Sequence, residues 1–112
     1  MLRRTILSVS LLSLLGWGSA RADTPFFDII IKDHQFQPAR VEVPAGVRVK
    51  LVIDNQDPTP EEFESYALNR EKVITGNSKV TVFVGPLEAG EYPFFGDFNQ
   101  KTAQGILVAT SP

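Results

Sequence analysis

The chain predicts an all-β fold, a Greek-key β-sandwich of seven to eight short strands. Three observations lead there: apolar residues recur with period two, turn residues interrupt them at short intervals, and no stretch carries a helical period. A flat open sheet would leave one apolar face in water, so two packed sheets suit this pattern better.

The strands follow in order. Phe26 to Lys32 is the first apolar run, and residues 36–43 form a second that stops at Pro44-Ala45-Gly46, a turn signal. Val47, Val49, Leu51 and Ile53 alternate with Arg48, Lys50, Val52 and Asp54, which predicts one buried and one mostly wet face. Residues 55–60 hold two prolines among polar turn formers, so the chain leaves the sheet there and returns around Phe63. A brief strand over 71–74 closes at Gly76-Asn77, and residues 79–84 alternate Val80, Val82 and Val84 with Thr81 and Phe83 before Gly85-Pro86. Residues 90–95 and 104–109 complete the set, separated by a polar segment over 96–103. The eight phenylalanines read as core. Tyr92 resembles the tyrosine corner of sandwich folds.

Two segments divide the 112 residues. Arg3 and Arg4 precede an apolar run from Ile6 to Leu15, and Ala20-Arg21-Ala22 offers the small residues that a signal peptidase reads. Residues 1–22 are therefore expected to be a secretory signal peptide cut after Ala22, leaving a domain over 23–112 in the periplasm. The paired arginines also resemble a twin-arginine signal, so both export routes stay open. The apolar run is shorter than the roughly 20 residues a spanning helix needs, and the protein is not expected to be a membrane protein itself.

Loss of the signal leaves 8 of 11 basic residues against 13 acidic ones, a net charge of −5. Such a domain has no electrostatic reason to bind nucleic acid or anionic lipid, and cationic partners suit it better. With no cysteine and about 90 residues, stability must come from packing and strand pairing, with a bound ion as a plausible helper.

The order of motifs then becomes specific. The stretch HQFQPARVEVPAGVRVKLVIDNQD resembles the opening of cupredoxin-like domains, and GEYPFFGDF followed by GILVA resembles their closing hairpin. EEFES, with EKVITG behind it, is closer still to the EfeO-type cupredoxin-like family found with bacterial high-affinity iron permeases. This resemblance covers nearly the whole chain after residue 22. It implies a periplasmic accessory of an iron uptake system, with a membrane iron permease and a periplasmic iron-binding protein as partners.

Departures from the redox members of that fold restrict the chemistry. By resemblance, a blue-copper centre needs a histidine around Glu61, a cysteine around Gly96, and a histidine and a methionine in the closing loop. None stands there. Without a soft thiolate, a blue-copper electron carrier is excluded.

Acidic residues stand there instead. Between Lys50 and Arg70 no basic residue occurs, while Asp54, Asp57, Glu61, Glu62 and Glu64 gather at what the fold makes the mouth of the sandwich. Residues two apart on a strand share a face, so Glu62 and Glu64 project together with Phe63 turned inward. Paired oxygen ligands suit hard ions such as Fe(III), Mn(II) or Ca(II). The resemblance implies an E-x-E pair at Glu62 and Glu64 and an acidic partner at Asp97, completing a site for iron or copper. Family members often carry a histidine just after Gly-Asp-Phe, where this chain has Asn99.

Each signal also has a plainer reading. The 61–64 cluster can be a charged strand edge that keeps the protein soluble. His34, the single histidine, can be a ligand or a surface residue, Asp97 a ligand or a turn former, and Glu71 an exposed partner of Lys72 or Arg70. No Ser-His-Asp or Cys-His arrangement exists, which argues against hydrolysis. A ferroxidase role follows from resemblance only, since no electron acceptor is legible. The alternative to metal binding is a non-catalytic interaction domain that docks a basic surface through its acidic mouth.

Overall fold

The structure, a computed structural model, describes residues 23–112, so the expected signal peptide lies outside the described residues. Nine strands occur among them: β1 (Phe26–Lys32), β2 (Gln35–Gln37), β3 (Arg40–Pro44), β4 (Val49–Asn55), β5 (Glu61–Ser65), β6 (Arg70–Ile74), β7 (Ser78–Val84), β8 (Gly90–Gly96) and β9 (Gln104–Thr110). Among the described residues, a single 3-10 turn, Asp97–Asn99, interrupts the polar segment before β9. No helix among the described residues is long and apolar enough to cross a membrane.

Two sheets face each other, a four-stranded one in the order β2-β1-β4-β7 and a five-stranded one in the order β3-β9-β8-β5-β6. The extra strand, relative to the predicted seven or eight, arises at Pro38-Ala39. There the expected single run over 36–43 divides into β2 and β3, which belong to opposite sheets. Proline has no N–H to donate to a ladder, which makes it a natural place for the chain to change sheets.

Period-two patterning carries over into burial. Val49, Leu51 and Ile53 of β4 point inward, and Ile29, Ile31, Val82 and Val84 meet them from β1 and β7. Across the gap, Phe63 and Phe94 reach Phe36, with ring centroids 4.9 to 6.2 Å apart. Such aromatic contacts add to the stabilisation from apolar burial. The expectation that all eight phenylalanines form the core is corrected. Phe36, Phe63 and Phe94 are buried, whereas Phe26, Phe83 and Phe98 are exposed. Phe83 stands on the wet face of β7, where the Arg48 guanidinium lies 4.0 Å from its ring centroid. Tyr92 donates its hydroxyl proton to the Glu88 carbonyl at 2.7 Å, a tie back to the chain before β8 like that of a tyrosine corner.

Candidate metal centre

β5 occupies an inner position of its sheet and alternates strictly. Glu61, Phe63 and Ser65 are buried, and Glu62 and Glu64 look outward at intermediate burial. On one side, the antiparallel register sets Glu64 opposite Glu71 of β6. On the other, Phe63 faces Gly96 of β8, so the next residue, Asp97, continues alongside Glu62. One carboxylate oxygen from each of Glu62, Glu64 and Asp97 lies within 4.8 Å of the others.

The cluster therefore lies on the outer face of the five-stranded sheet, where Val73, the cross-strand partner of Glu62, is also exposed. The sequence places it at the mouth of the sandwich. Strand parity moves it, because residues on either side of inward-facing Phe63 must face outward.

Electrostatics reflect this crowding. Partial burial, then the charges of Glu71 and Asp97, push the Glu62 carboxyl above its ordinary 4.5. Glu64 is raised as well, first by partial burial and then by the hydrogen bond and charge it shares with Glu71, with smaller effects from Glu62 and Asp97. No lysine or arginine forms an ion pair with this cluster among the described residues. A cation would relieve the repulsion.

Glu71, expected as an exposed partner of Lys72 or Arg70, instead stands across the β5-β6 ladder from Glu64, beside the cluster. It does not pair with Arg70, whose guanidinium donates to the carbonyls of Phe83, Leu68 and Asn69. The hairpin turn between Ser65 and Arg70 was the available signal, since closing it in register sets Glu64 against Glu71.

Glu61, expected as a metal ligand, does not join the cluster. It is 1% exposed and faces inward. One carboxylate oxygen accepts the backbone N–H groups of Glu62 (3.0 Å) and Phe98 (2.9 Å), and the other accepts the Asn99 side-chain amide at 2.7 Å. A Cβ placed on Gly96 would lie 2.7 Å from the Glu61 Cδ and 2.6 Å from the Ala103 Cβ. The interior space at positions 61 and 96 is thus filled by a hydrogen-bonded carboxylate.

His34 also lies apart from the cluster. With Asp33 it forms the two-residue turn from β1 to β2, both at positive φ (52° and 58°), as such tight hairpins require. Asp57 of the loop after β4 holds this turn, accepting the Asp33 and His34 backbone N–H groups at 2.8 and 3.0 Å, with the His34 Nδ1 at 3.5 Å. Burial works to raise the Asp57 carboxyl. The His34 and Asp33 N–H groups, with the charges of His34 and Lys32, outweigh it and hold the group below 3.8.

A testable consequence concerns acid. A carboxyl depressed in the folded state stabilises above its unfolded value, and that stabilisation is lost as pH falls through the folded one. Asp57→Asn is expected to cost about 1–2 kcal/mol at neutral pH, since an amide keeps only part of two charge-assisted bonds. The gap should narrow below about pH 3.8. Urea melts of both proteins at pH 7 and pH 3 check this, and a gap that widens at low pH would contradict it.

A family model for the cupredoxin-like domain matches residues 5–109. An uncharacterized protein, RP394, of Rickettsia prowazekii (strain Madrid E) is 48% identical over 80 residues, covering 71% of this chain and 64% of the relative. The chain thus spans less than two thirds of that relative's length. Auracyanin A, a "blue" copper protein from Chloroflexus aurantiacus, superposes with a TM-score of 0.68 at 17% identity, covering 79% of this chain and 100% of its own. The metal-binding domain of the Cu(I)-exporting P-type ATPase CopA of Streptococcus pneumoniae D39, solved with Cu(I), gives 0.68 at 15% identity, covering 81% and 92%. Amicyanin from Paracoccus versutus gives 0.60 at 16%, covering 83% and 87%. At these identities the solved structures speak for a shared fold.

Proposed function

Because the chain belongs to the cupredoxin-like domain family and has no cysteine, we propose that it binds a metal ion through surface carboxylates, Glu62, Glu64 and Asp97, and not through a blue-copper centre. The observation that carries this reading is the convergence of one oxygen from each within 4.8 Å. Two oxygens bound to one ion at about 2.3–2.6 Å stand no more than about 4.6–5.2 Å apart, so the three can enter one coordination shell with small adjustments. An all-oxygen donor set suits a hard ion such as iron, and Cu(II) is the competitor that the Irving–Williams order favours.

In this reading the protein is exported to the periplasm and serves as an iron- or copper-handling accessory of a high-affinity iron uptake system. Its partners are a membrane iron permease and a periplasmic iron-binding protein. Support comes from the E-x-E pair in EEFES, the acidic residue after Phe-Phe-Gly and the order of motifs shared with the EfeO-type domains. The role proposed is to hold and present the ion, and a ferroxidase role follows from the resemblance alone.

A second reading, docking of a basic partner surface, is favoured by Tyr66, 80% exposed and packed at a tilt against Phe95, with ring centroids 5.5 Å apart, close to Glu64. Thermal melts separate the two. A metal at 100 times its dissociation constant is expected to raise the midpoint on the order of 10 °C for a domain this small. If Fe, Cu, Mn, Zn and Ca at ~100 μM each move it by less than about 2 °C, micromolar metal binding is refuted and docking becomes the better reading.

A further inference from the structure

We propose that Glu61 is a positioning residue for this site: its buried carboxylate holds the Asp97–Asn99 turn and so sets Asp97 beside Glu62 and Glu64. The consequence for metal affinity rests on the metal-binding reading above, while the positioning itself does not.

A carboxylate at 1% exposure with no ion pair among the described residues demands an explanation, because a buried charge is costly unless its hydrogen bonds are made. Of the three donors to Glu61, one belongs to the neighbouring residue of its own strand. The other two, the Phe98 N–H and the Asn99 side-chain amide, come from the turn that carries Asp97.

The β5-β8 ladder brings the chain to β5 as far as Gly96, opposite Phe63, and from there the bonds to Glu61 hold the turn itself. No side chain caps its start at Gly96. Its remaining bonds run backwards into its own loop: the N–H groups of Thr102 and Ala103 donate to the Asn99 carbonyl, and Gln100 donates its amide to the Asp97 carboxylate at 2.8 Å. These bonds stay within the loop and do not reach β5.

Alternation along β5 completes the argument. Glu61 faces inward and Glu62 outward, so the inner residue grips the turn from beneath while the outer one meets Asp97 above it. Asn99 stands where family resemblance leads one to expect a histidine, and here it serves as a donor to the buried carboxylate. The pair Glu61 and Asn99 thus works as a fastener under the site.

The test has a metal-free arm and a metal arm, both on the intact protein. Without metal, hydrogen exchange at the Phe98 amide is followed by NMR in the wild type, Glu61→Ala, Glu61→Gln and Asn99→Ala. Glu61→Ala should abolish protection at Phe98 while core amides such as Leu51 keep theirs, and Glu61→Gln should largely restore it. Asn99→Ala retains its backbone bonds and should fall between, which keeps the test open if Glu61→Ala fails to fold. Protection at Phe98 that survives Glu61→Ala or is untouched in Asn99→Ala overturns the proposal.

In the metal arm, Mn(II) affinity is measured from the signal of the free ion. Losing an outer partner of a ligand is expected to weaken binding about 10- to 100-fold. If Glu61 acts through Asp97, Glu61→Ala and Asp97→Asn should each show such a loss, and the double variant no more than the larger one. Losses that multiply overturn the proposal. A wild type that binds no Mn(II), Fe or Cu, with Phe98 behaving as expected, refutes the metal-binding reading and leaves the fastener standing.

Discussion

Gly96→Ala is expected to lower the midpoint of thermal unfolding by about 10 °C. The Cβ it adds would meet the Ala103 Cβ at 2.6 Å and the Glu61 carboxyl carbon at 2.7 Å, closer than nonbonded atoms approach. Neither neighbour retreats easily, since the Gly96 N–H is bonded to the Ala103 carbonyl at 2.8 Å and Glu61 is held by three donors. Overpacking of this kind typically costs about 1–3 kcal/mol, and each kcal/mol moves the midpoint of a domain this size by about 4–8 °C. Differential scanning calorimetry gives the comparison. A change below 2 °C would mean that the space between positions 61 and 96 is open. Gly96→Cys meets the same obstruction, so a single exchange does not create a thiolate copper centre in this fold.

Removal of two surface charges is expected to have the opposite sign in the absence of metal. Glu62→Gln with Glu64→Gln should raise the metal-free midpoint at neutral pH and abolish the metal-dependent rise, on the order of 10 °C at 100 times the dissociation constant. Both glutamates titrate above 4.5 in the fold, first through partial burial and then through neighbouring carboxylates. The folded protein therefore binds more protons than the unfolded chain as pH rises from 4.5 through the raised values, and stability declines across that window. The wild type should show this decline and the variant should lack it, so the two converge below about pH 4.5. Midpoints recorded from pH 4 to 8, with and without metal, settle the matter. A variant less stable than wild type at pH 7 without metal would make the two side chains structural.

These effects illustrate how far local pattern reaches. Alternation in β4 and β7 marks inward and outward residues correctly because parity belongs to a strand whatever its partners. The same rule pairs Glu62 with Glu64 across Phe63. It also bears on Glu61, where charge density along the chain suggested a ligand and parity places the side chain inside. Glu71 required the register of the β5-β6 hairpin, and the role of Asp57 required a loop 23 residues away from His34 to fold against the first turn.

Composition and periodicity alone thus determined the sandwich class, the order of most strands, the exclusion of thiolate copper chemistry and the shared face of Glu62 and Glu64. Each is a property of one segment or of the whole composition. Only the tertiary structure decided that residues 36–43 divide between two sheets, that the inward Glu61 carboxylate is bonded to the 97–99 turn, that His34 belongs to a hairpin turn and that Glu71 and Asp97 flank the pair. Those facts depend on which distant strands become neighbours and in what register, and hydrogen-bonded pairing settles that only once the whole core has closed.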